Sequence, residues 1–186
     1  LLAFLLYNDG IQTIIAIAAI FASAELGLNT GTILGCYLMI QFLAMPATML
    51  TARLARRWGT KRTVMGTLAV FTVITVYAAT MRSALEFWIL GLLVALVLGG
   101  SQALSRSLYA GLVPPARSAE FFSFFAISSK FASILGPLLF ALLIDLTGSN
   151  RLAIFSLAIF FIVGMVLLVG VDVERGRLQI RAEKSD

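Results

Sequence analysis

The chain has 186 residues, of which 60% are hydrophobic and only 12% charged, with a mean hydropathy of +1.00 and a formal net charge of +5. A soluble domain carries about 25% charged residues, so a water-soluble globular fold is excluded and a membrane-spanning one is expected. The absence of His removes histidine-based catalysis and imidazole ligation, and the single Cys36 removes an internal disulfide; no metal site and no cofactor are expected.

The length leaves room for about six spans of roughly 20 residues each. Residues 1–22 read as the first, with Asn8-Asp9-Gly10 and Gln12-Thr13 in its middle. Asp-Gly between apolar runs signals a hairpin in a soluble protein. Here the flanks are too long, too apolar and too Ala-rich for strands, so an interrupted membrane helix is predicted. A polar connection through Glu25, Gly27, Asn29 and Gly31 follows, with Thr30 as N-cap of a second helix over about 32–51, kinked at Pro46. The densest charge run then forms a loop, with Arg53, Arg56, Arg57, Lys61 and Arg62 around Trp58-Gly59.

The third helix covers about 63–81, and Arg82-Ser83 turn the chain into a fourth over about 84–105. Gly91, Ala95, Gly99, Ala103 and Ser107 recur there every fourth residue, a small-residue face for close backbone approach. After a loop with Pro114-Pro115 and Arg117, Ser118-Ala119-Glu120 opens the fifth helix, which runs to about Asp145 and bends at Gly136-Pro137. The sixth takes about 151–171. One six-helix domain is thus predicted over 1–172, with a charged tail at 173–186.

Basic residues orient the bundle. Eleven of the 14 Lys and Arg fall in the second-to-third loop, in the fourth-to-fifth connection (Arg106, Arg117) and in the tail (Arg175, Arg177, Arg181, Lys184). Only Arg82 and Arg151 lie on the other side. This bias places both chain ends in the cytoplasm and accounts for the positive charge without nucleic acid.

Lys130 lies within the fifth span, where a lysine costs roughly 2.5–3.5 kcal/mol on insertion scales, and it shares a helical face with Ser123, Ala126, Ser133 and Pro137. Asp9, with Gln12 and Thr13 on its face, is the matching anion in the first span. Two readings stand side by side: a solute or proton site, or an Asp9–Lys130 ion pair that fixes helix packing. Gly99-Gly100-Ser101-Gln102 in the fourth helix corresponds to Asn8-Asp9-Gly10 in the first, as expected of two inverted three-helix repeats with matching breaks. For the glycines close packing is the stronger reading, whereas Gln102 stays open. Ser128, Ser129, Ser133 and Gln41 read as interhelical hydrogen-bonding groups, and the basic loop as an orienting, lipid-attracted segment.

Six spans with a basic, Gly-containing second-to-third loop resemble one half of a major facilitator superfamily transporter. Of that superfamily's loop motif, Arg57, Gly59 and Lys61 match, while Ala52, Arg56 and Thr60 depart from it. Tyr7-Asn8-Asp9-Gly10, the stretch Gly100 to Ser107, and Glu120-Phe121-Phe122 leading to Ser129 through Pro137 are similar to the vacuole-effluxer, autophagy-related permease branch. The resemblance implies helices seven to twelve of a twelve-helix carrier with the N-terminal half absent; the branch's fungal members are linked to amino-acid efflux.

The expected function is therefore the C-terminal half of a secondary carrier that moves a small solute by alternating access in a plasma or bacterial inner membrane. Asp9 and Lys130 are the charged groups expected at its site, with Asn8, Gln12, Ser101 and Gln102 as hydrogen-bonding ones. A channel or structural membrane protein is the alternative. A membrane enzyme is disfavoured, since no HExxH or paired intramembrane aspartates occur. The expected partners are the bilayer, the missing half, the solute and, for the isolated unit, a second copy.

Overall fold

In lipid every backbone polar group must find its partner within the chain, so apolar stretches of this length form helices. The computed structural model describes residues 1–114, 117–131 and 133–176. Its helices are α1 (Leu2–Leu26), α2 (Thr30–Trp58), α3 (Thr60–Thr80), α4 (Ala84–Ala110), α5 (Ser118–Phe131), α6 (Leu135–Thr147), α7 (Asn150–Ser156) and α8 (Ala158–Val169). Taking α5 with α6 and α7 with α8, they supply six spans long and apolar enough to cross a membrane. Pro115, Arg177, Arg181 and Lys184 lie outside the described residues.

Local chemistry sets the ends. Asn29, not Thr30, caps α2, its side chain accepting from the Thr32 N–H at 2.8 Å. Ser83 and Glu86 form a reciprocal capping box at the start of α4. The predicted basic loop shrinks to a single residue: Arg53, Arg56, Arg57 and Trp58 belong to the end of α2, and Lys61 and Arg62 to the first turn of α3. Gly59 alone turns the chain between them, at φ 89° and ψ 146°, where a Cβ is strongly disfavoured.

Both predicted interruptions are absent. α1 runs unbroken through Asn8-Asp9-Gly10 and α4 through Gly99-Gly100. The glycines serve packing instead, because helices in lipid associate by close contact and not by expelling water. A Cβ on Gly10 would lie 3.0 Å from Phe160 Cβ and Phe161 Cζ, and one on Gly164 would lie 2.8 Å from Tyr7 Cβ, so α1 and α8 interlock. Likewise Gly91 faces Cys36, Gly99 faces Thr48 and Gly100 faces Thr51, which brings α4 against α2.

The break falls in the fifth span, between Phe131 and Leu135. Pro137 causes it: the proline ring clashes with the carbonyl four residues back, that of Ser133, and the helix restarts at Leu135. The expected bend at Gly136-Pro137 is thus displaced by about one turn. A milder tightening at Leu157, whose N–H bonds to Ile154 O at 3.0 Å, divides α7 from α8.

Two polar clusters mark the opposite ends of the bundle. At one, Glu25 pairs with Arg151 at 3.4 Å and accepts from Asn150 at 2.8 Å, while Arg151 donates to Ala79 O at 3.0 Å. This joins the ends of α1 and α3 to the start of α7. At the other, Lys61 donates to Val169 O at 2.9 Å and Val171 O at 2.7 Å, capping α8 from α3. The buried core lies among α1, α3, α4 and α8, with Phe71 and Phe161 stacked at 5.3 Å. α2 and α5–α6 are far more exposed.

Candidate functional site

Asp9 is fully buried at 0% exposure, and so is Thr13, one turn further along α1. The Thr13 hydroxyl donates to the Asp9 carbonyl at 2.7 Å, which leaves the Asp9 carboxylate free to face the start of α6. There Asp9 Oδ2 accepts from the Gly136 N–H at 2.8 Å. The second oxygen, Oδ1, is buried with no hydrogen-bond partner among the described residues. A Cβ at position 136 would run into the Thr13 hydroxyl, so only glycine permits this approach. The helix spans Leu2–Leu26, which puts Asp9 in its first third and not at its middle.

Tyr7 packs beside this group, buried at 3% exposure. Its hydroxyl donates to Ser105 Oγ at 2.6 Å, and Ser105 in turn donates to Ser101 O at 2.6 Å, linking α1 to α4. Ser101 is itself fully buried, its hydroxyl bonded to Leu98 O at 2.9 Å. Asn8 is buried at 4% exposure, Gln12 and Gln102 are half-buried, and their amides make no hydrogen bonds among the described residues. Three amides thus keep their donors and acceptors available.

Lys130 behaves differently. Phe125 stacks on Phe4 at 4.2 Å and Gly136 meets Asp9 and Thr13, so α5 and the start of α6 run alongside the first half of α1. Lys130 lies between those contacts in the chain. It is nevertheless exposed, and no ion pair joins it to Asp9 among the described residues. Ser123, Ala126 and Ser133 on its face are exposed too, and Phe125 is the one buried residue of α5. Tyr109 holds that phenylalanine from the far side, stacking on it at 4.9 Å and donating to Phe121 O at 2.9 Å.

Arg57 and Gly59 are exposed at the α2–α3 turn, and Lys61 is half-buried in its capping role. Trp58 lines a groove of about 760 Å³ with Lys61, Arg62, Val171, Asp172 and Glu174. A separate, almost wholly apolar cavity of about 140 Å³ lies between α1, α2 and α4, walled by Ile14, Cys36, Tyr37, Phe87 and Val94. The sequence reading placed Thr13 on the Asp9 face and Gly136 at the fifth-helix bend, and gave Tyr7 and Ser105 only within the family motifs; it named none of the four as a site residue. Thr13 and Ser105 stand one turn beyond Asp9 and Ser101, a spacing that points to the same faces, whereas nothing local marks Gly136 as the partner of Asp9.

The family model described as vacuole effluxer Atg22 like matches residues 1–181. The chain is 42% identical over 174 residues to the uncharacterized MFS-type transporter YxiO of Bacillus subtilis, covering 94% of this chain and 40% of that one. It is 31% identical over 194 residues to autophagy-related protein 22 of Kluyveromyces lactis, covering 97% of this chain and 39% of that one. The corresponding protein of Saccharomyces cerevisiae is 31% identical over 197 residues, with 95% and 36% covered. The chain therefore spans about two fifths of the length of these relatives. No solved structure matches it.

Proposed function

The chain belongs to the vacuole effluxer Atg22-like family, and from that premise we propose that it forms the C-terminal half of a secondary carrier moving a small solute by alternating access. It is a multi-pass membrane protein. In the proposed orientation the Lys61 end, where most basic residues gather, lies in the cytoplasm.

The observation that carries this reading is Lys130, a lysine inside the fifth span that the other helices leave exposed and without an ion pair among the described residues. An ammonium facing hydrocarbon there costs roughly 2.5–3.5 kcal/mol, and such residues face a cavity or a partner. The exposed face of α5 is accordingly assigned to a wet pathway shared with the other half of the carrier. Lys130 anchors an anionic group of the solute, and Gln12, Gln102 and Asn8 supply hydrogen bonds from α1 and α4. Asp9, sealed in the packing, acts behind that surface.

Uptake of labelled amino acids, the solutes implied by the resemblance, into liposomes holding the full-length carrier tests this. Saturable, gradient-driven uptake that Lys130→Met lowers at least about tenfold is expected, the loss of one charged contact being worth a factor of that order. Equal uptake by both would remove Lys130 from the pathway. Unitary currents in a planar bilayer, in place of saturable counterflow, would support a channel. The isolated six-helix unit is proposed to pair two-fold through α1, α2, α4 and α5; a strictly monomeric mass in detergent would contradict that.

A further inference from the structure

A helix that restarts after a break leaves its first N–H groups without acceptors, and inside a membrane no water replaces them. α6 restarts under that constraint. Ile134, its own N-cap residue, supplies no side-chain acceptor, and Pro137 has no N–H to satisfy. Leu138 N–H already reaches Ile134 O at 3.2 Å, so the open donors of the first turn are those of Leu135 and Gly136. Asp9, 127 residues away in the chain, accepts from Gly136. Its carboxylate does for α6 what a cap residue ordinarily does from the preceding position.

We infer that Asp9 is a positioning residue: by capping α6 from α1 it fixes where the fifth span resumes, and so sets the depth and direction of Lys130, five residues before Leu135. This rests on the carrier reading only for the role of Lys130 and not for the cap itself. Three features fit the assignment. Thr13 donates to the Asp9 carbonyl, not to its carboxylate, leaving the latter for α6. Position 136 is glycine, so Thr13 and Asp9 can reach the backbone. Ser133, within the break, turns its hydroxyl to the Lys130 carbonyl at 2.9 Å, tying the end of α5 to the same short segment. Among the described residues Asp9 Oδ1 makes no hydrogen bond of its own, so the cap rests on one oxygen acceptor. Leu135 N–H also faces the carboxylate, but the hydrogen bond with normal geometry is the one from Gly136 to Oδ2, and an asparagine keeps an oxygen acceptor for it.

The test uses the full-length carrier in membranes, freed of its native cysteines (Cys36→Ser in this half), with Lys130→Cys as a probe of position 130. The rate at which a water-soluble methanethiosulfonate modifies that thiol is measured with Asp9, Asp9→Asn and Asp9→Leu. Asp9→Asn is expected to leave the rate within about twofold, and Asp9→Leu to change it about tenfold, as loss of a helix cap implies. A control thiol at Val73→Cys on α3 should not respond to either. In the Lys130 protein, Asp9→Leu should raise KM for a transported amino acid about tenfold while Asp9→Asn leaves it near the parental value. If Asp9→Asn shifts labelling and KM as far as Asp9→Leu does, the charge and not the acceptor matters, and the inference is overturned. An unchanged labelling rate in Asp9→Leu overturns it equally. Should Asp9→Leu fail to reach the membrane, the Asp9→Asn labelling rate decides alone. Labelling requires no transport, so failure of the carrier reading would show in the uptake and leave the labelling result for the cap unaffected.

Discussion

Asp9 and Lys130 are both ionisable groups placed inside membrane spans, and the structure treats them in opposite ways. Asp9 is enclosed at 0% exposure, held by a backbone donor from a neighbouring span. Lys130 is exposed and without an ion pair among the described residues. An enclosed acceptor binds helices together, so removing it should disturb packing. An exposed charge contributes little to the fold of this unit and is retained for something outside it.

The substitution that should separate these regions most sharply is Gly136→Val. It drives a branched side chain into Thr13 and pulls the α6 start away from Asp9. Overpacking and the lost hydrogen bond together should cost about 3 kcal/mol, read as a lower unfolding midpoint in mixed detergent micelles. Lys61→Met is expected to cost about 1 kcal/mol, because the last α8 carbonyl, Val169, and that of Val171 just beyond it lose their donor at once. Glu25→Gln should cost less, about 0.2–1 kcal/mol, since the Arg151 pair is partly exposed and the amide oxygen can still accept from Asn150. Lys130→Met should move the midpoint least, by no more than about 0.5 kcal/mol in either direction. A fall larger than that of Glu25→Gln would mean that Lys130 helps hold this fold together and would erase the contrast.

Much of the architecture was legible in the residues. Hydropathy and length supplied six spans, and the motifs between Tyr7 and Pro137 pointed to the family that the comparison identifies. The misreadings share one physical origin. Asn8-Asp9-Gly10 and Gly99-Gly100 are poor helix formers in water, yet in lipid the backbone has no alternative partners, so the helices continue and the glycines become seats for Phe161 and Thr48. The fifth span breaks because of Pro137, which cannot donate and clashes with the preceding turn. The basic stretch read as a loop because its charges interrupt the hydropathy; arginines are good helix formers, and Gly59 alone changes direction. The bond from Gly136 to Asp9 left no trace in the sequence, because its partners are brought together only by the packing of α1 against the fifth span.

Whether the Lys130 face is wet can be measured directly. A nitroxide attached through Lys130→Cys, in a cysteine-free background of the full-length carrier in bilayers (Cys36→Ser in this half), reports collisions with a water-soluble nickel chelate and with oxygen, which concentrates in lipid. Frequent collisions with the nickel complex and few with oxygen are the expected result. The reverse pattern, matching that of a lipid-facing control such as Val73→Cys, would place Lys130 against hydrocarbon and contradict the assignment of this face to a solute pathway.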